Sequence, residues 1–194
     1  MRVRALLTAA AAAALLAGCG TASAQQPAAT RDRAAAPAAV GAHNATDVTF
    51  LQMMIAHAAQ GRRLTELGAK RAVREEVRQL AAAIQTTQAD EVKIMESWLR
   101  GWQEPTDVAA GESAHVDHGG EPATGEQEIA QLQRASGAEF EKMFLGLLTG
   151  HQHGAVEMAQ RVAADGANPQ TKDLAERIAE SRTQQIAQML RLMN

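Results

Sequence analysis

The chain has 194 residues, with 19 Lys and Arg against 22 Asp and Glu and a formal charge of −3. Apolar residues make up 46%, aromatics only 3%, and tyrosine is absent. The near-balanced charge argues against a nucleic-acid surface, which would need clustered Lys and Arg. The single cysteine excludes an internal disulfide and a Cys-based zinc site. Scarce aromatics and β-branched residues beside abundant Ala, Gln, Glu, Arg and Met point away from an all-β fold and toward helices.

Residues 1–19 read as a targeting segment. Arg2 and Arg4 form a short positive region, and Ala5 to Leu15 is an apolar stretch of signal-peptide length. Leu16-Ala17-Gly18-Cys19 looks like a bacterial lipobox, in which the cysteine thiol is lipidated and the chain is cut before it. Each acyl CH₂ buried in the membrane contributes ~0.8 kcal/mol, so a multiply acylated Cys19 is expected to hold the chain firmly, outside the cytoplasm. Residues 20–43 are rich in Ala, Pro, Gln and Thr without apolar periodicity, which predicts a flexible tether. Residues 44–194 remain, enough for one core.

Asn44 or Thr46 is a candidate cap for a first helix starting near Asp47, with Phe50, Met53, Met54, Leu64 and Leu67 on its apolar side and Gly68 as its stop. A second helix is predicted from about Ala72 to Arg100, with a stripe running from Val73 and Val77 through Ile84 and Met95 to Trp98 and Trp102; Gly101 and Pro105 end it. Residues 103–123 read as a loop. Thr124 with Gln127 resembles a capping box that opens a short helix to Ala135, and Ser136 with Glu139 resembles another that opens a third main helix. Gly166 stops that helix. Asn168 caps the fourth, with Pro169 in its first turn.

The two halves match at one constant offset without a gap. Phe50 pairs with Phe144, His57 with His151, Ala69 with Ala163, Leu80-Ala81 with Leu174-Ala175, Ile84 with Ile178 and Met95 with Met189; Asp47 pairs conservatively with Glu141. This is a duplicated helical hairpin, with repeats at about 47–101 and 141–194. Neither hairpin can bury its stripe alone, so the expected fold is all-α: a four-helix bundle with a short extra helix in the central connection.

Polar residues interrupt the stripes at matching places. His57 continues the apolar row of the first helix, Gln88 and Glu91 lie between Ile84 and Met95, His151 follows Leu147 and Leu148, and Arg182 and Gln185 stand where Gln88 and Glu91 stand in the other half. Buried polar groups need partners, so a polar layer is expected inside the bundle. With the second helix antiparallel to the first, Gln88 and Glu91 should approach Met54 and Asp47. Two accounts fit. In one, the layer holds a soft metal ion, because thioether and imidazole suit Cu(I) and silver; the candidates are Met54, His57, Glu91, Met95, His151 and His153, with Glu157 four residues beyond His153. In the other, it is a closed network of hydrogen bonds and ion pairs that sets register, with Met as filler. Arg182 could serve there as a built-in cation near Glu91 and Glu141, or its long side chain could reach the surface. His115 and His118, with Asp117, form a weaker metal candidate in the loop.

The stretches Asp47 to His57, Gln88 to Glu91 with Met95, Trp98 and Leu99, and Phe140 to Leu145 through His151-Gln152-His153 to Met158 resemble the bacterial domain-of-unknown-function family 305. The resemblance covers about residues 44–194. It implies a ferritin-like four-helix bundle, commonly exported or lipid-anchored, some members of which bind copper or silver. The chain departs from the family pattern at several places. The family's His-His pairs read His57-Ala58 and His151-Gln152, the methionine before the second pair is Leu148, the usual Gln and Glu of the last helix are Arg182 and Gln185, and the Met-rich stretch before the third helix is replaced by Asp117 to Pro122.

The expected role is therefore a membrane-anchored, extracytoplasmic metal-binding bundle. The competing one is a metal-free structural module for an envelope-protein partner, its site closed by Arg182. No Ser/His/Asp or Cys/His arrangement supports an enzyme. A di-iron carboxylate site would need two Glu-x-x-His motifs on core helices, and the one match, Glu112 to His115, falls in the loop.

Overall fold

A computed structural model describes residues 41–107 and 124–194. They form five helices: α1 (Ala45–Arg71), α2 (Glu75–Trp102), α3 (Glu126–Arg134), α4 (Gly137–Asp165) and α5 (Pro169–Met193). Cys19 and the lipobox, most of the tether, and His115 and His118 lie outside the described residues. No described helix is long and apolar enough to cross a membrane.

Local chemistry explains most of the boundaries. Asn44, and not Thr46, caps α1: its side chain accepts the Asp47 N–H at 3.0 Å while the Asp47 carboxylate accepts the Asn44 N–H at 2.9 Å. Asn168 caps α5 through the N–H groups of Gln170 and Thr171, with Pro169 at the first helical position. Gly166 ends α4 as expected. The two expected capping boxes around α3 and α4 do not form, since Gly125 and Ser136 hold the N-cap positions without a side-chain bond.

Gly68 does not stop α1, which runs on to Arg71. A Cβ at Gly68 would fall 2.2 Å from the Phe144 ring, so this glycine admits an aromatic ring against the helix backbone. Likewise α2 passes through Gly101 and ends on Gln103, which takes the left-handed conformation at φ 62°. Val73 precedes α2 and is 56% exposed, so it leaves the expected stripe.

The four long helices bury one another's apolar stripes, as the duplicated pattern requires. Asn44 donates to the Asp165 carbonyl at 3.0 Å, which sets the start of α1 beside the end of α4. At the other end Arg71 reaches the Gln133 and Ala135 carbonyls at 3.1 and 2.6 Å and lies 4.5 Å over the Phe140 ring. α1 and α4 are thus antiparallel. The short α3 is clamped there as well, its Ile129 and Leu132 buried.

The interior has two apolar clusters. One gathers Leu64, Val77, Ile84, Phe144, Leu148 and Met189; the other gathers Phe50, Met54, Met95, Trp98, Ala159 and Ile178. Along every long helix the residues of one cluster give way to those of the other across a short polar stretch. Those four stretches form the layer described next.

Candidate functional site

Each long helix contributes to the polar layer: His57 from α1, Gln88 and Glu91 from α2, His151 and Gln152 from α4, and Arg182 and Gln185 from α5. His57 is 7% exposed, His151 2% and Arg182 1%.

The two repeat-related imidazoles meet at the centre. Their rings stack with centroids 3.7 Å apart and planes 3° from parallel. His57 Nε2 lies 3.0 Å from the His151 carbonyl oxygen, across 94 residues of sequence. A carbonyl only accepts, so His57 Nε2 carries the hydrogen. The Thr124 hydroxyl sits 3.5 Å from His151 Nδ1, and His151 Nε2 has no hydrogen-bond partner. Burial, then the His57 charge, then the Arg182 charge hold His151 well below its ordinary pKa, so it is neutral at pH 7.

Gly61 makes this packing possible. A Cβ there would fall 2.4 Å from His151 Nε2 and 3.0 Å from Gln88 Oε1. Gln88 Oε1 is likewise buried without a partner. From Gln88 a chain of amides crosses the bundle: Gln88 Nε2 donates to Gln152 Oε1 at 3.3 Å, Gln152 Nε2 donates to Gln185 Oε1, and Gln185 Nε2 donates to Ser181 Oγ at 3.3 Å.

Arg182 does not reach the surface. Its Nη2 donates to Glu91 Oε2, while Nε and Nη1 are buried without partners. Burial pushes the Glu91 carboxyl up, and the Arg182 charge and hydrogen bond pull it back only in part. Glu141, the other expected partner of Arg182, lies at the end of the bundle and pairs with Arg74. Asp47 also stays out of the layer. It accepts the N–H groups of Ala167 and Asn168 at 3.0 and 3.1 Å.

The six candidate ligands therefore separate. His57 and His151 are brought together. Glu91 is committed to Arg182. Met54 and Met95 are buried in the apolar cluster with Phe50 and Trp98. His153 and Glu157 are exposed on α4, outside the layer. Among the described residues no three His, Cys, Asp or Glu side chains gather into a metal-binding group. Sequence reasoning missed Gly61, Thr124 and Gln152 as parts of the layer. A glycine inside a helix, four residues after His57 and about 1 kcal/mol worse than alanine there, was a legible sign of close packing.

No curated protein matches the chain. Among solved structures, a protein from Streptomyces coelicolor described as secreted and of DUF305 is 29% identical, with a TM-score of 0.69, covering 76% of this chain and 91% of that one. A DUF305 fragment from Deinococcus radiodurans is 27% identical, with a TM-score of 0.69, covering 79% and 98%. CopM in its Cu(II)-bound form is 23% identical, with a TM-score of 0.63, covering 76% and 95%; CopM is also known in Cu(I)- and Ag-bound forms. The profile of the family described as "Domain of unknown function (DUF305)" matches residues 47–193, which takes in both hairpins, the stacked histidines and the Arg182–Glu91 pair. With its fold and this match in agreement, the chain belongs to the DUF305 family.

Proposed function

We propose that this protein is an exported, non-enzymatic bundle, held to a membrane through lipidated Cys19, that binds a soft monovalent metal ion, Cu(I) or Ag(I), at the His57–His151 layer. One observation carries the metal reading. His151 is a buried, neutral imidazole whose Nε2 has no partner, inside a layer built by all four long helices. Neutral imidazole nitrogen is a ligand for copper, and CopM, which has the same fold, has been solved with copper and silver. The lipobox and the Streptomyces relative described as secreted support the location.

The residues fit an ion of low coordination number. His151 supplies a nitrogen, a donor that suits copper, while Gln88 Oε1, also without a partner, is an oxygen of the kind harder cations prefer. They do not fit a tetrahedral divalent centre, which needs four converging donors. Nor can both rings take one ion as they stand. A metal bonds imidazole in the ring plane, and planes stacked 3° from parallel do not share such a point.

Titration of Cu(I) and Ag(I) into the full chain carrying Cys19→Ser, which removes the competing thiol, tests this. Uptake of one ion per chain that is lost in His151→Ala is the expected result. Uptake unaffected by His151→Ala refutes the site. The Arg182–Glu91 pair favours a second reading, in which the layer is a metal-free lock and the bundle is a structural or interaction module of the envelope. No uptake at all leaves that reading.

A further inference from the structure

We propose that the first turn of α3 is a flap over the His151 ring, latched from outside by the Arg63–Glu126 ion pair, and that this latch sets how fast the polar layer is reached. The inference rests on the metal-binding reading above for the ion whose passage is timed; the flap itself is tested without metal.

The buried His151 ring is shut off from solution, and Thr124 is part of what shuts it off. Thr124 is itself buried, and its hydroxyl lies 3.5 Å from His151 Nδ1. It directly precedes Gly125, the N-cap of α3, so whatever lifts the start of α3 draws this cover off the ring.

The two ends of α3 are held differently. At the C-terminal end Leu132 and Ala135 are buried, and Arg71 donates to the Gln133 and Ala135 carbonyls at 3.1 and 2.6 Å. Several contacts there must break together. At the start, Gly125 offers no side-chain cap, unlike Asn44 on α1 and Asn168 on α5. The first N–H groups of a helix have no partner within it, and without a cap that turn opens more readily. What meets it is Arg63 of α1, whose guanidinium takes both oxygens of Glu126: Nη1 donates to Oε1, and Nη2 donates to Oε2 at 3.0 Å. Arg63 is half exposed and Glu126 largely exposed. An exposed ion pair shifts an equilibrium by about fivefold at most, so this latch biases the turn shut and still releases it. Ile129 marks the hinge. It is buried, and its N–H makes the first helical bond of α3, to the Gly125 carbonyl at 3.2 Å. Opening as far as Ile129 uncovers His151 and leaves Leu132 and the Arg71 clamp in place.

The test uses the full chain carrying Cys19→Ser, alone and with Glu126→Gln, Arg63→Gln or both. Each change removes a latch charge at the surface, and circular dichroism reports that the variant folds. Two readouts need no metal. Deuterium exchange at the Ile129 N–H follows opening of the first turn, with the Ala135 N–H, bonded to the Gln131 carbonyl at 3.1 Å, as the reference for the clamped end. Exchange of the His151 ring C2 hydrogen follows arrival of water at the ring. The third readout is the rate of Ag(I) loading and release, counted as the part removed by His151→Ala. Expected in each single variant is exchange about two- to fivefold faster at Ile129 and His151 and unchanged at Ala135, with the double variant adding no more. Ag(I) loading and release should quicken by the same factor, leaving the affinity within about twofold. Unchanged exchange at Ile129 or at His151 in folded variants overturns the flap. Faster exchange with unchanged Ag(I) rates overturns it as the ion's route, while the metal site stands. Faster exchange at both positions with no Ag(I) uptake at His151 in any background removes the metal-binding reading and supports the flap as the control of what reaches the ring.

Discussion

The Asp47 carboxylate of α1 accepts the backbone N–H of Asn168, the N-cap of α5, at 3.1 Å. The same relation recurs with the halves exchanged. Glu141 of α4 accepts the backbone N–H of Arg74, the N-cap of α2, at 2.8 Å. Asp47 and Glu141 correspond in the repeat, and so do Asn168 and Arg74. Each hairpin thus holds the start of the other's second helix, with a carboxylate placed where the helix dipole favours negative charge.

Loss of these pins should be costly and unequal. Asp47 is fully buried and also accepts the Asn44 N–H, so Asp47→Ala strands several backbone donors. The expected cost is about 3 kcal/mol or more, and Glu141→Gln, whose partner Arg74 is half exposed, about 1–2 kcal/mol. Denaturant unfolding of the two variants measures both. Equal, negligible losses would remove these pins from the account of the fold.

Two glycines of the long helices should respond in opposite ways to alanine. At Gly146 an added Cβ meets nothing within 4 Å, so Gly146→Ala should stabilise by about 0.5–1 kcal/mol through helix propensity. At Gly61 the Cβ would strike His151 Nε2, so Gly61→Ala should destabilise by about 1–3 kcal/mol in spite of the same propensity gain. The His57–His151 stack should open with it, which His ring NMR signals would report.

His151 predicts a pH dependence with a definite sign. Its folded pKa lies well below the ordinary histidine value of about 6.5, so between the folded pKa and that value the unfolded chain binds more protons than the folded one. Stability should therefore fall as pH drops below about 6.5, with the loss continuing toward the folded pKa. Replacement by leucine should flatten that slope. Glu91, whose carboxyl is raised by burial, contributes with the opposite sign, so the difference between the parent and His151→Leu isolates the histidine. Tm measured from pH 8 to pH 5 tests it. Parallel profiles would place the His151 proton uptake elsewhere.

Much of this architecture was legible in the chain. Asn44, Asn168 and Pro169 announce helix starts because their geometry is local. The repeat that pairs His57 with His151 requires two equivalent hairpins, and apolar stripes broken by polar residues at matching places require a shared layer. Gly68 shows where such reading fails. A glycine near the end of an apolar pattern looks like a stop, and only the arrival of the Phe144 ring from the other hairpin reveals a packing contact. Val73 continued a periodic stripe on paper, but the turn before α2 left it in solvent.

Within the layer the division is the same. Periodicity identified which residues turn inward, since a helix repeats every 3.6 residues whatever surrounds it. It could not say which inward groups meet, because that depends on how far each helix slides along its neighbours. The antiparallel packing of α1 on α4 set ring on ring. The placement of α5 gave Arg182 to Glu91 and left Glu141 to Arg74. Helix positions, duplication and the buried histidines were properties of the sequence; the partner of each buried charge was decided by tertiary contact, where residues far apart in the chain compete for one another.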